Sequence, residues 1–180
     1  MQNEYGWPKH WRLQFPISLI LCLLVVGCSK TQPPANADQQ RPQVTSVGVV
    51  KATPVTASLT KGEPGEAVVR LKIADGYHVN ANPPSLSYLI PTQLDLTSTA
   101  GVSVDFITYP EGIKKKFSFS PEQPLSVYEG ETDLKVRLTA TKTAKPGEHN
   151  LSAKLRVQAC DDQVCYPPGT MDLTLPVMVK

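Results

Sequence analysis

The chain has 180 residues, and its 18 Lys and Arg against 16 Asp and Glu give a formal net charge of +2 at pH 7. This length suits one domain with a single core. No basic stripe interleaved with aromatic side chains is present, so nucleic acid is not an expected partner. The 4 cysteines fall into two pairs, one in the N-terminal segment and one near the C-terminus.

The N-terminus has the pattern of an export signal. Lys9 and Arg12 precede an apolar run over residues 17–26, which is too short to anchor a protein across a bilayer. The run ends in Leu-Val-Val-Gly-Cys-Ser, which resembles the lipobox of bacterial lipoproteins. This resemblance implies that residues 1–27 are a cleaved signal peptide and that Cys28 carries lipid on the periplasmic face of a membrane. An ordinary secretory signal is the alternative, and either one delivers the chain to a compartment where disulfides persist.

Residues 29–46 contain three prolines, several Gln and Asn, and almost nothing apolar. Such a segment cannot bury enough surface to offset its chain entropy. We therefore predict a lipidated cysteine with a flexible tether over residues 28–46 and one globular domain over residues 47–180. Within that domain, the run Lys114-Lys115-Lys116 is interpreted as a solvated loop.

Apolar residues in the domain recur with period two, which predicts half-buried strands. The alternating apolar sets are Ala67, Val69, Leu71 and Ile73; Leu134, Val136 and Leu138; Leu151, Ala153, Leu155 and Val157; and Met171, Leu173, Leu175, Val177 and Val179. Shorter extended runs are expected at residues 55–60, 77–80, 88–96 and 102–109. Because Pro and Gly separate these runs and no helical stripe is present, we predict an all-β, immunoglobulin-like antiparallel sandwich of seven to nine strands.

Strand parity and turn chemistry place Cys160 and Cys165 opposite one another. Cys160 has the parity of the polar residues in the strand that begins at Leu151, so its sulfur is expected to point away from the main core. Residues 161–164 contain two aspartates and are predicted to form a turn. Opposed residues of an antiparallel pair lie about 4.5–5.5 Å apart at Cα, a distance that a disulfide accepts. A reversible bond at a hairpin is therefore plausible.

A redox role and a structural role both remain open at this point. Closing a loop of about six residues stabilises by only about 2 kcal/mol, against about 3 kcal/mol for fifteen residues, so the pair is a poor stabilising cross-link. A metal site would need further ligands, and only His78 and His149 remain after export. No metal or other cofactor is therefore expected.

The sequence Gln-Ala-Cys-Asp-Asp-Gln-Val-Cys-Tyr-Pro-Pro at residues 158–168 resembles the redox loop of the N-terminal periplasmic domain of the thiol:disulfide interchange protein DsbD. The resemblance extends to residues 76–80, 109–110 and 127–130, and covers essentially all of residues 47–180. It implies an immunoglobulin-like fold and a relay of electrons to oxidised periplasmic proteins. By the same resemblance, Cys165 forms mixed disulfides with partners and Cys160 resolves them. No Lys, Arg or His lies within the loop itself.

Two departures from that family pattern bear on function. The family shields its cysteines with an aromatic cap, and Phe117 or Phe119 is the candidate here, although both could equally be core residues of a strand. Lysines stand where the family has an acidic pair before the cap aromatic. The sequence also ends at Lys180 without a membrane domain or a thioredoxin-like domain. The expected electron donor is therefore a separate thioredoxin-like or DsbD-type membrane protein.

The alternative from another functional class is a binding lipoprotein without catalysis. In that hypothesis, the disulfide between Cys160 and Cys165 merely stiffens a recognition hairpin. Reduction potential separates the two hypotheses, because structural disulfides of exported proteins usually lie below about −300 mV.

Overall fold

The computed structural model of the chain describes residues 43–180. The predicted signal peptide, the lipidation site Cys28 and most of the predicted tether lie outside the described residues. Within residues 43–180, no helix is present that could cross a membrane. The strands are β1 (Val50–Val55), β2 (Ala57–Leu59), β3 (Pro64–Ile73), β4 (His78–Asn80), β5 (Gln93–Leu96), β6 (Val102–Thr108), β7 (Ile113–Phe117), β8 (Ser120–Tyr128), β9 (Glu131–Ala140), β10 (Gly147–Val157), β11 (Ala159–Cys160) and β12 (Gly169–Val179).

The first sheet has the strand order β1-β3-β9-β6, and all its pairs are antiparallel. Its two central strands follow the predicted alternation, because the apolar residues at every second position are buried and the charged residues between them are not. The fully buried members include Val69, Leu71, Leu134, Val136 and Leu138. Burial of each such side chain contributes about 1.5–3 kcal/mol, so the inner face of this sheet is a main source of stability.

The second sheet has the order β2-β12-β10-β5. Its central pair, β10 and β12, is antiparallel from Gly147 opposite Val179 to Val157 opposite Gly169, whereas β2 joins β12 in parallel. Leu151, Leu155, Leu175 and Val177 are fully buried and belong to the same core cluster as the apolar residues of the first sheet. The prediction of an all-β, immunoglobulin-like sandwich is therefore confirmed.

A third, smaller sheet carries the cysteines and has the order β11-β4-β8-β7. Strand β11 begins two residues after β10 ends, so the chain passes from the second sheet into the third at Gln158. A separate apolar cluster of Leu89, Phe117, Leu125 and Val127 lies within this part of the fold. The cysteine loop, residues 160–165, thus starts at a strand that pairs with β4 in the third sheet and directly follows β10 of the second sheet.

Several local predictions need correction. The structure has more strands than the predicted seven to nine, because short strands such as β2, β4 and β11 carry too few residues to show a period. The loop interpretation of Lys114-Lys115-Lys116 is wrong, because all three lie in β7. That strand forms one edge of its sheet and exposes most of its side chains, so it lacks an apolar alternation. The run at residues 88–96 is extended only over Gln93–Leu96.

Ser46, which the tether prediction included, belongs to the folded part of the chain. Its side chain is 1% exposed, and its hydroxyl donates to the carbonyl oxygen of Pro167 at 2.6 Å and accepts from the amide of Ala159 at 2.9 Å. The described domain therefore begins at least one residue before the predicted Val47.

Candidate functional site

Cys160 and Cys165 form a disulfide at the base of the cysteine loop. The sulfur atoms are 2.04 Å apart and the Cα atoms 3.9 Å apart. The two residues face one another as an isolated antiparallel bridge, which agrees with the predicted hairpin. Strand β11 places Cys160 directly opposite His78 of β4, so the loop is held by the sheet on its N-terminal side.

The carboxylate of Asp161 organises the turn of the cysteine loop. One of its oxygens accepts hydrogen bonds from the amides of Gln163 and Val164, each at 2.8 Å, and the other accepts from the Tyr166 hydroxyl at 2.6 Å. The hydroxyl and the two amides hold the pKa of Asp161 below its usual value. The same hydroxyl bond raises the pKa of Tyr166 to about 12, because the nearby carboxylate favours the protonated phenol. The turn is therefore fixed by charge-assisted bonds. The sequence predicted a turn at the aspartates but not the hydrogen bond from Tyr166.

The two sulfurs differ in accessibility. Cys160 is not in the main core cluster, as its strand parity predicted, but it is only 1% exposed. Its neighbour Ala159 points into the main core and is fully buried. Cys165 is half-buried. Cys165 is therefore the more accessible residue of the pair.

Cys165 lines a groove of about 310 Å³, termed the Cys165 groove. Its walls are mainly apolar, and three of its large apolar side chains are well exposed: Tyr88 by 73%, Val164 by 50% and Phe119 by 40%. Leu89 and Leu125 form buried parts of the lining. Exposed aromatic and aliphatic side chains beside a sulfur that is not fully buried suit a site where a protein partner docks.

The two candidate cap residues occupy different environments at the turn between β7 and β8. Phe117 is 3% exposed and belongs to the small apolar cluster, as the alternative core interpretation expected. Phe119 stacks on Phe117 with ring centroids 5.1 Å apart and lines the Cys165 groove. Between them, Ser118 donates its amide at 3.4 Å and its hydroxyl at 2.5 Å to the carbonyl oxygen of Asp162. This turn, residues 117–119, is therefore bonded to the cysteine loop.

His78, Lys115 and Glu129 form a polar cluster next to the cysteine loop, and the sequence did not predict this cluster as functional. The Nε2 atom of His78 lies 2.5 Å from Lys115 Nζ and 3.2 Å from a carboxylate oxygen of Glu129. Lys115 Nζ is also 3.9 Å from the Asp162 carboxylate. The loop contains no basic residue, but the fold supplies Lys115 and His78 from other strands. In the sequence, the segments that contain His78 and Glu129 contribute to the family resemblance, and His78 is otherwise considered only as a metal ligand.

Gln158 joins the cysteine region to the segment that carries Tyr88. Its side-chain oxygen accepts from Asn80 Nδ2 at 3.0 Å and from the amide of Ile90 at 2.9 Å. Asn80 also donates to the carbonyl oxygen of Ile90 at 3.1 Å. These bonds hold one wall of the Cys165 groove against the strand that leads to Cys160.

Metal ligation has no support in residues 43–180. Within that range, no three or more His, Cys, Asp or Glu side chains are grouped closely enough to hold a metal ion.

Comparison with known proteins gives one family match. A family model described as the N-terminal part of thiol:disulfide interchange protein DsbD matches residues 44–176. The N-terminal periplasmic domain of ScsB from Proteus mirabilis is 15% identical with a TM-score of 0.46, over 71% of this chain and 44% of that chain. A family 123 glycoside hydrolase from Clostridium perfringens is 13% identical with a TM-score of 0.30, over 70% of this chain and 23% of that one. The matched region spans less than half the length of either structure. No curated protein matches the chain.

Proposed function

The chain belongs to the family of N-terminal domains of thiol:disulfide interchange protein DsbD, and from this membership we propose that it passes electrons between proteins through a reversible Cys160–Cys165 disulfide. The observation that carries the proposal is the unequal accessibility of the pair. Cys165 opens on an apolar groove, whereas Cys160 is 1% exposed beside it. Exchange requires in-line attack on an accessible sulfur, and this arrangement offers a partner only one of the two.

The proposed reaction has two steps. In the reduced domain, the Cys165 thiolate attacks a disulfide of an oxidised partner, which forms a mixed disulfide and releases one partner thiolate that takes up a proton. Cys160 then attacks the sulfur of Cys165 as a thiolate, the intramolecular disulfide forms, and the second partner sulfur leaves and is protonated. Two electrons pass to the partner, and a dithiol donor reverses both steps to reduce the domain again.

The partners that fit this chemistry are proteins on both sides of the exchange. The donor is a thioredoxin-like protein or a DsbD-type membrane protein, and the acceptors are oxidised periplasmic proteins. Export of the chain and a lipid on Cys28 would keep the domain at the membrane surface close to such a donor. The exposed Tyr88, Val164 and Phe119 are the side chains that a docking partner would cover.

We also propose the turn at residues 117–119 as a shield for the disulfide. Phe119 lines the groove at Cys165, and Ser118 bonds to the cysteine loop through Asp162. In this proposal, a partner that reaches Cys165 displaces or slides past Phe119. Shielding of this kind would slow reaction with small oxidants more than exchange with a docked protein.

Redox equilibration tests the proposed function. The chain is equilibrated with mixtures of reduced and oxidised glutathione, and the state of the Cys160–Cys165 pair is measured by mass after alkylation. We expect a potential between roughly −120 and −270 mV, the range of known oxidoreductases. A bond that stays oxidised below about −300 mV would instead support the structural hairpin of a binding lipoprotein.

Trapping of mixed disulfides with two matched variants tests which cysteine attacks the partner. Cys160→Ala leaves Cys165 as the attacking sulfur and should accumulate mixed disulfides with partner proteins. Cys165→Ala leaves only the buried Cys160 and should accumulate far fewer. Equal trapping by both variants would contradict the assigned roles.

A further inference from the structure

His78 is placed to act on Cys160, and nothing in the exchange scheme above uses it. The two residues are direct partners in the antiparallel pairing of β4 with β11. Side chains of directly opposed residues leave a sheet on the same face, with Cβ atoms about 4.5–5.5 Å apart. His78 is 2% exposed, and its ring packs edge-on against Phe117 with centroids 5.1 Å apart. Its position is therefore fixed by packing on the side where Cys160 lies.

The two contacts of Nε2 favour opposite tautomers, because the Glu129 carboxylate, 3.2 Å away, accepts a hydrogen bond from a protonated Nε2, whereas the Lys115 ammonium donates to an unprotonated one. Lys115 Nζ lies 2.5 Å from Nε2, and an ammonium group can only donate a hydrogen bond. We assign Nε2 as the acceptor because the contact with Lys115 is the shorter of the two, and the neutral imidazole of His78 then carries its proton on Nδ1. Glu129 lies 3.5 Å from Lys115 Nζ as well as near the ring, and its carboxylate balances the charge of Lys115.

The Nδ1 atom of His78 is buried and has no hydrogen-bond partner in the described structure. A buried N–H group without an acceptor is costly, and such groups are rare in native proteins. In the oxidised domain the sulfur of Cys160 is part of a disulfide and is a weak acceptor. Reduction frees this sulfur as a thiol or a thiolate, and a thiolate is a charged acceptor on the face of the sheet from which the His78 side chain also extends.

We propose that His78 donates an Nδ1–H hydrogen bond to the Cys160 thiolate when the disulfide is reduced. This inference rests on the proposed exchange function and names the group that stabilises the resolving sulfur. A dithiol partner supplies two electrons to the disulfide and is itself oxidised to a disulfide; one of its protons passes to the sulfur of Cys165, which gives it up again before it attacks an oxidised partner, the other proton goes to solvent, and Cys160 remains a thiolate held by His78. In the opposite direction this thiolate attacks Cys165 in the mixed disulfide, and the departing partner sulfur takes up the proton.

Charged side chains from several elements lie around the imidazole of His78. Lys115 on β7 and Glu129 after β8 contact Nε2, and Asp162 of the cysteine loop lies 3.9 Å from Lys115. Asp75 lines the same hollow of about 300 Å³ on the outer side of His78. The positive charge of Lys115 polarises the ring toward donation from Nδ1, which favours a thiolate at Cys160 against the opposing effect of the acidic groups.

The test measures thiolate formation at Cys160 alone. In the full chain, Cys22, Cys28 and Cys165 are replaced by Ser, and the ultraviolet absorbance of the remaining thiolate is titrated with pH. Adding His78→Phe keeps the aromatic packing and removes the donor. We expect the titration midpoint to rise by about one pH unit, a tenfold loss of thiolate that corresponds to about 1.4 kcal/mol.

Two further variants separate hydrogen bonding from general disturbance of the fold. His78→Asn places an amide donor near the position of Nδ1 and should restore part of the shift. His149→Phe removes a histidine on β10, away from the site, and should leave the midpoint unchanged. An unchanged midpoint in a folded His78→Phe, or an equal shift in His149→Phe, would overturn the inference.

A measurement on the unmodified chain covers the case in which His78→Phe does not fold. The imidazole nitrogen resonances of His78 are compared between the oxidised and the reduced protein. A displaced Nδ1 resonance on reduction supports the bond to Cys160, and an unmoved one overturns it. Because the single-cysteine titration needs no disulfide, its result stands apart from the reduction potential that tests the proposed function itself.

Discussion

Asp161→Asn should weaken the cysteine loop only at pH values where the native carboxylate is charged. The carboxylate accepts three hydrogen bonds, from the amides of Gln163 and Val164 at 2.8 Å each and from Tyr166 at 2.6 Å. An asparagine oxygen can still accept the two amide bonds, so the substitution mainly removes the charge. A bond to a charged group contributes about 1 kcal/mol more than a neutral bond. Because this loop is partly open to solvent, we reduce the sum for three bonds to about 1 kcal/mol.

The pH dependence gives the sign of the effect. The pKa of Asp161 is lowered in the folded protein, so its contribution to stability is present above the usual carboxyl pKa. It is lost as the pH falls through the lowered value, where the folded and unfolded states both become protonated. The difference between the wild type and Asp161→Asn should therefore be largest near neutral pH and should vanish in strong acid.

The assay is thermal and denaturant unfolding with the disulfide intact. For a domain of this size, about 1 kcal/mol corresponds to a fall in Tm of about 3–5 °C near neutral pH. Asp162→Asn is the matched control, because its side chain is 74% exposed and its nearest basic group, Lys115 Nζ, is 3.9 Å away. An equal loss in both variants, or a difference for Asp161→Asn that persists in strong acid, would refute the reasoning.

Three other predictions concern the core, the N-terminal segment and the shield. Leu134→Ala should lower the free energy of unfolding by about 2–5 kcal/mol, because the side chain is fully buried between the sheets; denaturant titration measures this, and a loss below that range would show that the site collapses around the cavity. Ser46→Ala should cost about 1–3 kcal/mol in the same assay, since the buried amide of Ala159 loses its acceptor; no loss would mean that water replaces the hydroxyl. Phe119→Ala should speed peroxide oxidation of the reduced cysteine pair without a comparable loss of stability, and an unchanged rate would remove Phe119 as the shield.

The strands with clear alternation could be predicted from sequence. In β3, β9 and β10, apolar residues at every second position predict which face is buried, and the structure confirms it. Strands β4 and β11 have three and two residues, too few for any period to appear. Strand β7 has lysines at three of its five positions, because an edge strand does not need a buried face. Local pattern therefore predicts the sandwich but not the small third sheet.

The candidate site was likewise predictable from sequence only in its local part. The cysteine pair and its turn are local features, so spacing and turn chemistry were enough to predict a hairpin. His78 and Lys115 are separated by 37 residues, and their contact depends on how β4, β8 and β7 pair. Cross-strand register of this kind is set by tertiary packing, which one sequence does not reveal. The exposed Tyr88 gave no signal either, because isolated aromatic residues in loops are common.

The lysines of β7 have a consequence for how the domain behaves in a crowded compartment. Among the strands of residues 43–180, β7 lies at the outer position of the third sheet, so none of them neighbours the backbone groups on one side of it. An open edge is a template on which other chains can add strands and aggregate. Lys114, Lys115 and Lys116 stand along that edge, and inserting another strand beside them would bring like charges together and strip water from the ammonium groups. The domain can thus keep an apolar groove open for partners while the adjoining sheet edge resists self-association.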